Sequence, residues 1–301
     1  MRTLSLRIGP EQDGRSVKSL LKEEMLVSGA HLSRLKRREQ GILLNGACCY
    51  VTARVREGDL LTFEIGDLPS DRTVPMPFPL NVRFEDEDIL VLDKPAGIAA
   101  HQSSRDPLEC TLENAVCHYL GGNVTPHPVS RLDRGTTGLM VLAKSAYLHE
   151  RLRRMLHTDA FLRIYEGVAV GRVEPPRGVI EGPIGFAEGS IYKRAVRVDG
   201  VYARTEYETL AWNERFTLLR MIPRTGRTHQ LRVHLASIGY PLAGDWLYGT
   251  EDRALIARPA LHSAELSLTH PLTGERLELR SDLPDDMRAL MERWPAAGPA
   301  G

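Results

Sequence analysis

The chain has 301 residues, enough for about two domains and a sizeable buried core. Its 39 basic and 39 acidic residues balance, so net charge points to no partner and only the local distribution of charge is informative. No apolar run approaches the roughly 18 residues of a membrane span, Met1 to Pro10 lacks the apolar core of a secretion signal, and four cysteines without a Cys-x-x-Cys pair fit neither a zinc site nor a disulfide framework. The expectation is a cytoplasmic protein with reduced thiols, no bound metal and no membrane partner.

In chain order, residues 1–66 read as a self-contained module. Val17, Leu20, Leu21 and Met25 mark one face of a first helix. Ser33 is the expected N-cap of a short second helix, Arg34 to Glu39, carrying Arg34, Lys36, Arg37 and Arg38. Ile42 to Leu44, then Asn45-Gly46, then Ala47 to Val51 read as a hairpin on a type I′ turn. Leu61, Phe63 and Ile65 alternate as a last strand. The module is only mildly basic, eleven Lys/Arg against eight Asp/Glu, so its cations are focused on one helix. Arg15-x-Val17, Leu20-Leu21, Ser33, Lys36, Gly41, Leu44-Asn45-Gly46, Val55 and Gly58-Asp59 make the segment similar to the S-four-like RNA-binding module. That resemblance implies that Arg34, Lys36, Arg37 and Arg38 lie on phosphates; the alternative is a merely solvated charged face. Residues 67–80 hold four prolines (Pro69, Pro75, Pro77, Pro79) and read as an extended linker that resists packing.

From Asn81 the pattern becomes α+β. Ile89 to Leu92 reads as a buried strand running into Asp93-Lys94-Pro95-Ala96-Gly97 and His101. His127 to Lys144 is the most informative stretch: Asp133 sits in a turn between Arg131 and Arg134, and Leu139 to Ala143 follows as a buried strand. Ser145 caps a helix with Leu148, Leu152, Met155 and Leu156 facing inward. Arg163 to Gly171 reads as a strand containing Tyr165. Between Arg215 and Gly244 there are five arginines, two histidines and no acid, a cationic face within a neutral chain. The domain reading is 1–66, the linker 67–80, a large domain 81–294 and a flexible tail 295–301.

Four ordered segments of the large domain resemble the RluA-type pseudouridine synthases. They are Asp93-Lys94-Pro95-Ala96-Gly97; Arg131-Leu132-Asp133-Arg134-Gly135-Thr136-Thr137-Gly138; Arg163-Ile164-Tyr165; and Gly226-Arg227-Thr228-His229-Gln230-Leu231-Arg232-Val233-His234-Leu235. Ser130 stands where the family pattern has histidine, and Thr137 where it has serine; the aspartate and the arginine two residues before it are in place. The resemblance implies a mixed, largely antiparallel sheet and isomerisation of uridine to pseudouridine in structured RNA, with ribosomal RNA favoured and transfer RNA open. It assigns Asp133 as the essential catalyst, Tyr165 as the residue that stacks on uracil and assists proton loss, and Arg227 as the partner of the carboxylate. Arg131 would fill the space left by a flipped base, and Lys94, His229 and Arg232 would contact RNA. Isomerisation exchanges no electrons, so no cofactor is implied. A monomer is expected. Two rival readings are a non-catalytic RNA-binding or ribosome-assembly factor on the same fold, and an aspartate-nucleophile phosphohydrolase. The second suffers from the lack of an acidic neighbour to Asp133.

Overall fold

Short-range signals build the N-terminal module. In the computed structural model, which describes residues 2–102, 108–293 and 296–299, strands β1 (Thr3–Arg7), β2 (Ile42–Leu44), β3 (Ala47–Cys48) and β4 (Leu60–Glu64) form an antiparallel sheet in the order β1-β4-β2-β3. Asn45 and Gly46 take φ of 53° and 81°, the left-handed pair that a type I′ turn requires. Helix α1 (Val17–Ser19) continues as a wider π turn over Leu20–Glu24, and helix α2 (Gly29–Leu35) follows. Val17, Leu20 and Leu21 are buried, as their spacing predicts.

The second helix departs from expectation. Its N-cap is Ser28, which accepts the His31 N–H at 3.1 Å, and it ends at Leu35. Burial of His31, Leu32 and Leu35 fixes the helical face earlier than the charge run suggests. Lys36, Arg37 and Arg38 therefore follow the helix end, where the last carbonyls favour positive charge.

One mixed sheet organises the rest. Its strands are β5 (Val82–Glu85), β6 (Ile89–Lys94), β7 (His127–Pro128), β8 (Thr137–Ala143), β9 (Phe161–Val170) and β10 (Arg177–Glu181). After a separate two-stranded hairpin, β11 (Ile184–Phe186) with β12 (Arg194–Val196), it continues through β13 (Arg204–Asn213), β14 (Phe216–Pro223), β15 (Leu261–Thr269), β16 (Arg276–Arg280) and β17 (Ala296–Pro299). The order is β10-β13-β14-β9-β15-β8-β6-β5, with β16 on β15, β17 on β13 and β7 on β8. Pairing is antiparallel except between β15 and β8. There Gly138 has φ 103°, and a Cβ would lie 2.3 Å from the Ser263 carbonyl oxygen, so only glycine permits that approach. Helices α3 (Leu112–Tyr119), α4 (Ala146–Met155), α5 (Gln230–Ser237) and α6 (Asp285–Glu292) flank the sheet. Ser145 caps α4 as expected, accepting the Leu148 N–H at 3.3 Å. The expected α+β architecture with a largely antiparallel sheet is what forms. Among the described residues no helix is long and apolar enough to cross a membrane.

Two expectations are corrected. Residues 67–80 pack: Asp67 accepts from His127 and from the Ala146 amide, the Ser70 N–H donates to Asn123 O at 2.7 Å, and Asn114 Nδ2 donates to Val74 O at 2.8 Å. Phe78 and Leu80 lie against the core of the large sheet. Prolines keep the backbone extended, and an extended backbone offers its carbonyls to neighbours as readily as to water. In the tail, Ala296–Pro299 pairs with β13 and is not a free end; residues 295, 300 and 301 lie outside the described residues.

The module and the large domain share one apolar core, in which Leu20, Leu21 and Phe63 join Val91, Leu139, Val141 and Tyr147. Tyr147 of α4 is 2% exposed; its ring meets Phe63 edge-on at 5.9 Å, and its hydroxyl donates to Met25 O at 2.7 Å. Tyr147→Phe keeps the ring and orphans that carbonyl. It is expected to lower stability by about 1–2 kcal/mol, seen as a lower urea midpoint at unchanged slope. An unchanged midpoint would mean that this hydroxyl does not tie the two units together.

Candidate active site

A cleft of about 1610 Å³ opens where β8 begins, lined by the turn that carries Asp133, by Tyr165 of β9 and by the first residues of α5. The turn is held from both sides by buried cations. Lys94 is 1% exposed, and its ammonium donates to Pro95 O, Ile98 O and Arg134 O at 2.9, 3.0 and 3.1 Å. Arg258, 7% exposed, donates from Nη1 to Gly135 O and Leu261 O, both at 3.1 Å, and grips Asp286 of α6 with two bonds at 2.7 and 2.8 Å. Leu132 anchors the turn in the core, and the Thr136 N–H donates back to Asp133 O at 3.0 Å. Thr137, at the position of the family's serine, uses its hydroxyl against His262 Nδ1 at 2.8 Å.

The carboxylate itself is oriented by an ion ladder. Arg232 donates from Nη1 to Asp133 Oδ2 at 3.1 Å and from Nε and Nη2 to Asp245, both at 2.8 Å. The Asp245 side chain is fully buried and that of Arg232 nearly so, whereas the Asp133 side chain is 30% exposed to the cleft. Burial alone works against the guanidinium's charge, but the two carboxylates outweigh it and raise its pKa. Asp245 is further fixed by the Leu247 and Tyr248 amides at 3.1 and 3.3 Å.

The expected partner of Asp133 is thereby corrected. Arg227 is exposed in the turn before α5, its Nε donating to Tyr202 O at 3.0 Å. Its amide is tied to Gln230 Oε1 at 3.0 Å, and α5 starts only at Gln230. Arg232, inside the helix, is the residue that reaches the carboxylate. Lys94 is likewise no surface contact for RNA; it is spent on backbone carbonyls. Arg38 is half-buried against Glu64, which leaves Arg34, Lys36 and Arg37 as the exposed cations of that segment. Arg131 stands exposed at the rim, with Nη1 3.3 Å from His101 Nε2. Tyr165 is 5% exposed, packed in the core of the sheet and lining the cleft. His229 also lines it, with Nε2 3.9 Å from Asp133 Oδ1.

Asp245 and Arg258 were missed as contributors. Asp245 had a legible signal: it is the first acid after the acid-free run from Arg215 to Gly244, and a buried arginine needs a carboxylate. Arg258 had none, because the Gly135 carbonyl and the Asp286 carboxylate that it joins lie far from it in sequence.

Burial pulls the Lys94 ammonium down to about 8, against the opposing pull of the Asp133 carboxylate. Its folded value lies below the ordinary 10.5, so the cost of burying the charge is in full force below about pH 8 and is relieved as pH rises toward 10.5. The stability of the parent protein relative to Lys94→Met is expected to increase across that window, measured by denaturant unfolding at successive pH values. A flat difference would mean that the ammonium keeps its ordinary pKa.

Residues 88–237 match the family described as RNA pseudouridylate synthase. A Bacillus subtilis protein, uncharacterized RNA pseudouridine synthase YjbO, is 35% identical over 89% of this chain and 96% of its own length. Ribosomal large subunit pseudouridine synthase D of Escherichia coli is 35% identical over 86% of this chain and 85% of its own. Among solved structures, human RNA Pseudouridylate Synthase Domain Containing 1 superposes with a TM-score of 0.59 at 22% identity, covering 74% of this chain and 91% of the human one; it shares the fold. With relatives this similar along most of its length, and an aspartate held at the head of the cleft, the chain belongs to the RNA pseudouridine synthases.

Proposed function

We propose that this enzyme isomerises uridines of large-subunit ribosomal RNA, with Asp133 as its essential catalyst. The observation that carries the reading is the Arg232 bridge: a half-exposed carboxylate is fixed at the head of a large cationic cleft by an arginine that a second, buried carboxylate holds still. Such a group is oriented and accessible at once. The name of the Escherichia coli relative supports the choice of RNA.

The chemistry needs a uridine turned out of its stack, at a cost of a few kcal/mol. Arg131, exposed at the rim, would enter the vacated space, and cleft arginines such as Arg153, Arg163 and Arg224 would offset the cost through phosphate contacts. The flipped uracil would lie over the Tyr165 ring, whose wall position in the cleft suits stacking. Asp133 then drives cleavage of the bond between N1 and C1′. The base turns, C5 joins C1′, and the hydrogen on C5 leaves as a proton while N1 gains one; in this reading the Tyr165 hydroxyl assists that proton loss. The N-terminal module, in its S-four-like reading, would hold a neighbouring stem through Arg34, Lys36 and Arg37.

Asp133→Asn preserves shape and removes the charge. Pseudouridine formation on large-subunit ribosomal RNA is expected to fall by more than about a thousandfold, with RNA affinity retained, measured by modification mapping and filter binding. Turnover within tenfold of the parent protein would overturn the assignment. Replacing Arg34, Lys36 and Arg37 by alanine is expected to weaken binding and to flatten the salt dependence by about one unit of log–log slope per lost contact. An unchanged slope would leave RNA binding to the cleft alone.

A further inference from the structure

His229 is the last residue before α5, and it holds a left-handed backbone conformation, φ 57° and ψ 19°. Histidine adopts that region at some cost, and such strain persists where the surroundings impose it. The imposing partner is Tyr248. Its hydroxyl lies 2.8 Å from His229 Nδ1, and the two rings meet edge-on at 5.7 Å. The same phenol oxygen accepts the Arg194 N–H of β12 at 3.0 Å. The phenol hydrogen has no other acceptor among the described residues, which directs it at Nδ1. Nδ1 is then the acceptor, and the imidazole carries its own hydrogen on Nε2.

Nε2 faces the cleft. Its separation from Asp133 Oδ1, 3.9 Å, is too long for a hydrogen bond, and among the described residues it has no other acceptor. A donor fixed in orientation by a strained backbone and a tyrosine, yet left without an acceptor beside the catalytic carboxylate, is built for the reacting molecule. We propose that His229 is a further catalytic residue, a neutral Nε2–H donor to the uracil while it is detached from the ribose. The inference rests on the reading of Asp133 as catalyst. When the bond between N1 and C1′ breaks, its electron pair leaves with the base, and the negative charge spreads over N1 and the two ring carbonyls. The Nε2–H hydrogen bonds to one of those oxygens and no proton changes hands. The balance closes when C5 bonds to C1′, the C5 hydrogen departs as a proton and N1 takes up a proton.

Neutrality of the imidazole suits this role, since a charged one would compete for Asp133. Burial lowers the pKa of His229, working against the raising influence of Asp133. The groups that face it are Asp133 from the catalytic turn, Arg232 from α5, Asp245 and Tyr248 from the loop that follows, and Arg194 from β12. Burial also raises the Tyr248 phenol, which keeps its hydrogen for donation.

The test uses the full chain. His229→Asn retains a residue that tolerates the left-handed region but falls short of the Nε2 position, and it is expected to lower kcat by about 10- to 100-fold with RNA affinity unchanged in filter binding. His229→Gln, whose longer amide reaches that position, is expected to recover part of the loss. Nitrogen-15 spectra of the histidines should show Nδ1 unprotonated and Nε2 protonated for His229, with a tautomer mixture in Tyr248→Phe. A raised KM at unchanged kcat in His229→Asn would make the residue a plain RNA contact and overturn the proposal, as would a hydrogen on Nδ1. Asp133→Asn serves as the internal reference. If it stays active, the catalyst reading fails; if it is inactive while His229→Asn keeps its kcat, only the role of His229 fails.

Discussion

The site depends on one buried charge, that of Asp245. A carboxylate with no exposure must be matched by a cation or lose its charge, and here the match is the two-bond grip of Arg232. A guanidinium has five N–H donors in a fixed plane. Two are used on Asp245, so the direction of the others is set, and one of them meets Asp133 at the cleft. Order therefore passes from the dry interior to the wet surface through a rigid fork. The free energy that positions Asp133 is drawn from desolvated charges, not from the exposed pairing alone, which in water would be worth little. Lysine in place of Arg232 would keep the charge and lose the geometry.

The turn that carries Asp133 is organised on a related principle. Its carbonyls project inward and need donors. Lys94 takes the Arg134 carbonyl from one side, and Arg258 takes the Gly135 carbonyl from the other. Lys94 acts wholly on backbone, and Arg258, which lines the cleft, divides its guanidinium between backbone carbonyls and Asp286. A turn pinned by two buried charges is stiffer than one made by its own hydrogen bonds, which holds the Asp133 carboxylate at one position in the cleft.

How much of this was legible in the sequence follows from the range of the interactions. Strands β6 and β8 announce themselves by the unbroken apolar runs Ile89–Leu92 and Leu139–Ala143, and the Asn45-Gly46 turn by local chemistry. Asp133 and Tyr165 stand out through their motifs. The pairing of Asp133 with Arg232 instead of Arg227 did not, because it depends on where α5 starts, and that is set by Gln230 capping the turn with its side chain. Lys94 misled for the opposite reason. A lysine beside a proline reads as exposed, and only the fold reveals three carbonyls converging on it. The stretch 67–80 shows that a proline-rich composition predicts extension, not the lack of contacts.

Arg258 also carries a consequence for how the enzyme comes into being. Its guanidinium joins the carbonyls of the catalytic turn to Asp286 on α6. During synthesis on the ribosome, the turn emerges long before that helix. Until α6 packs, Arg258 lacks its carboxylate, and of the two cations that pin the turn only Lys94 has all its partners. Settling of the backbone beneath Asp133 thus depends on a helix far along the chain, so the site and the large domain become ordered together.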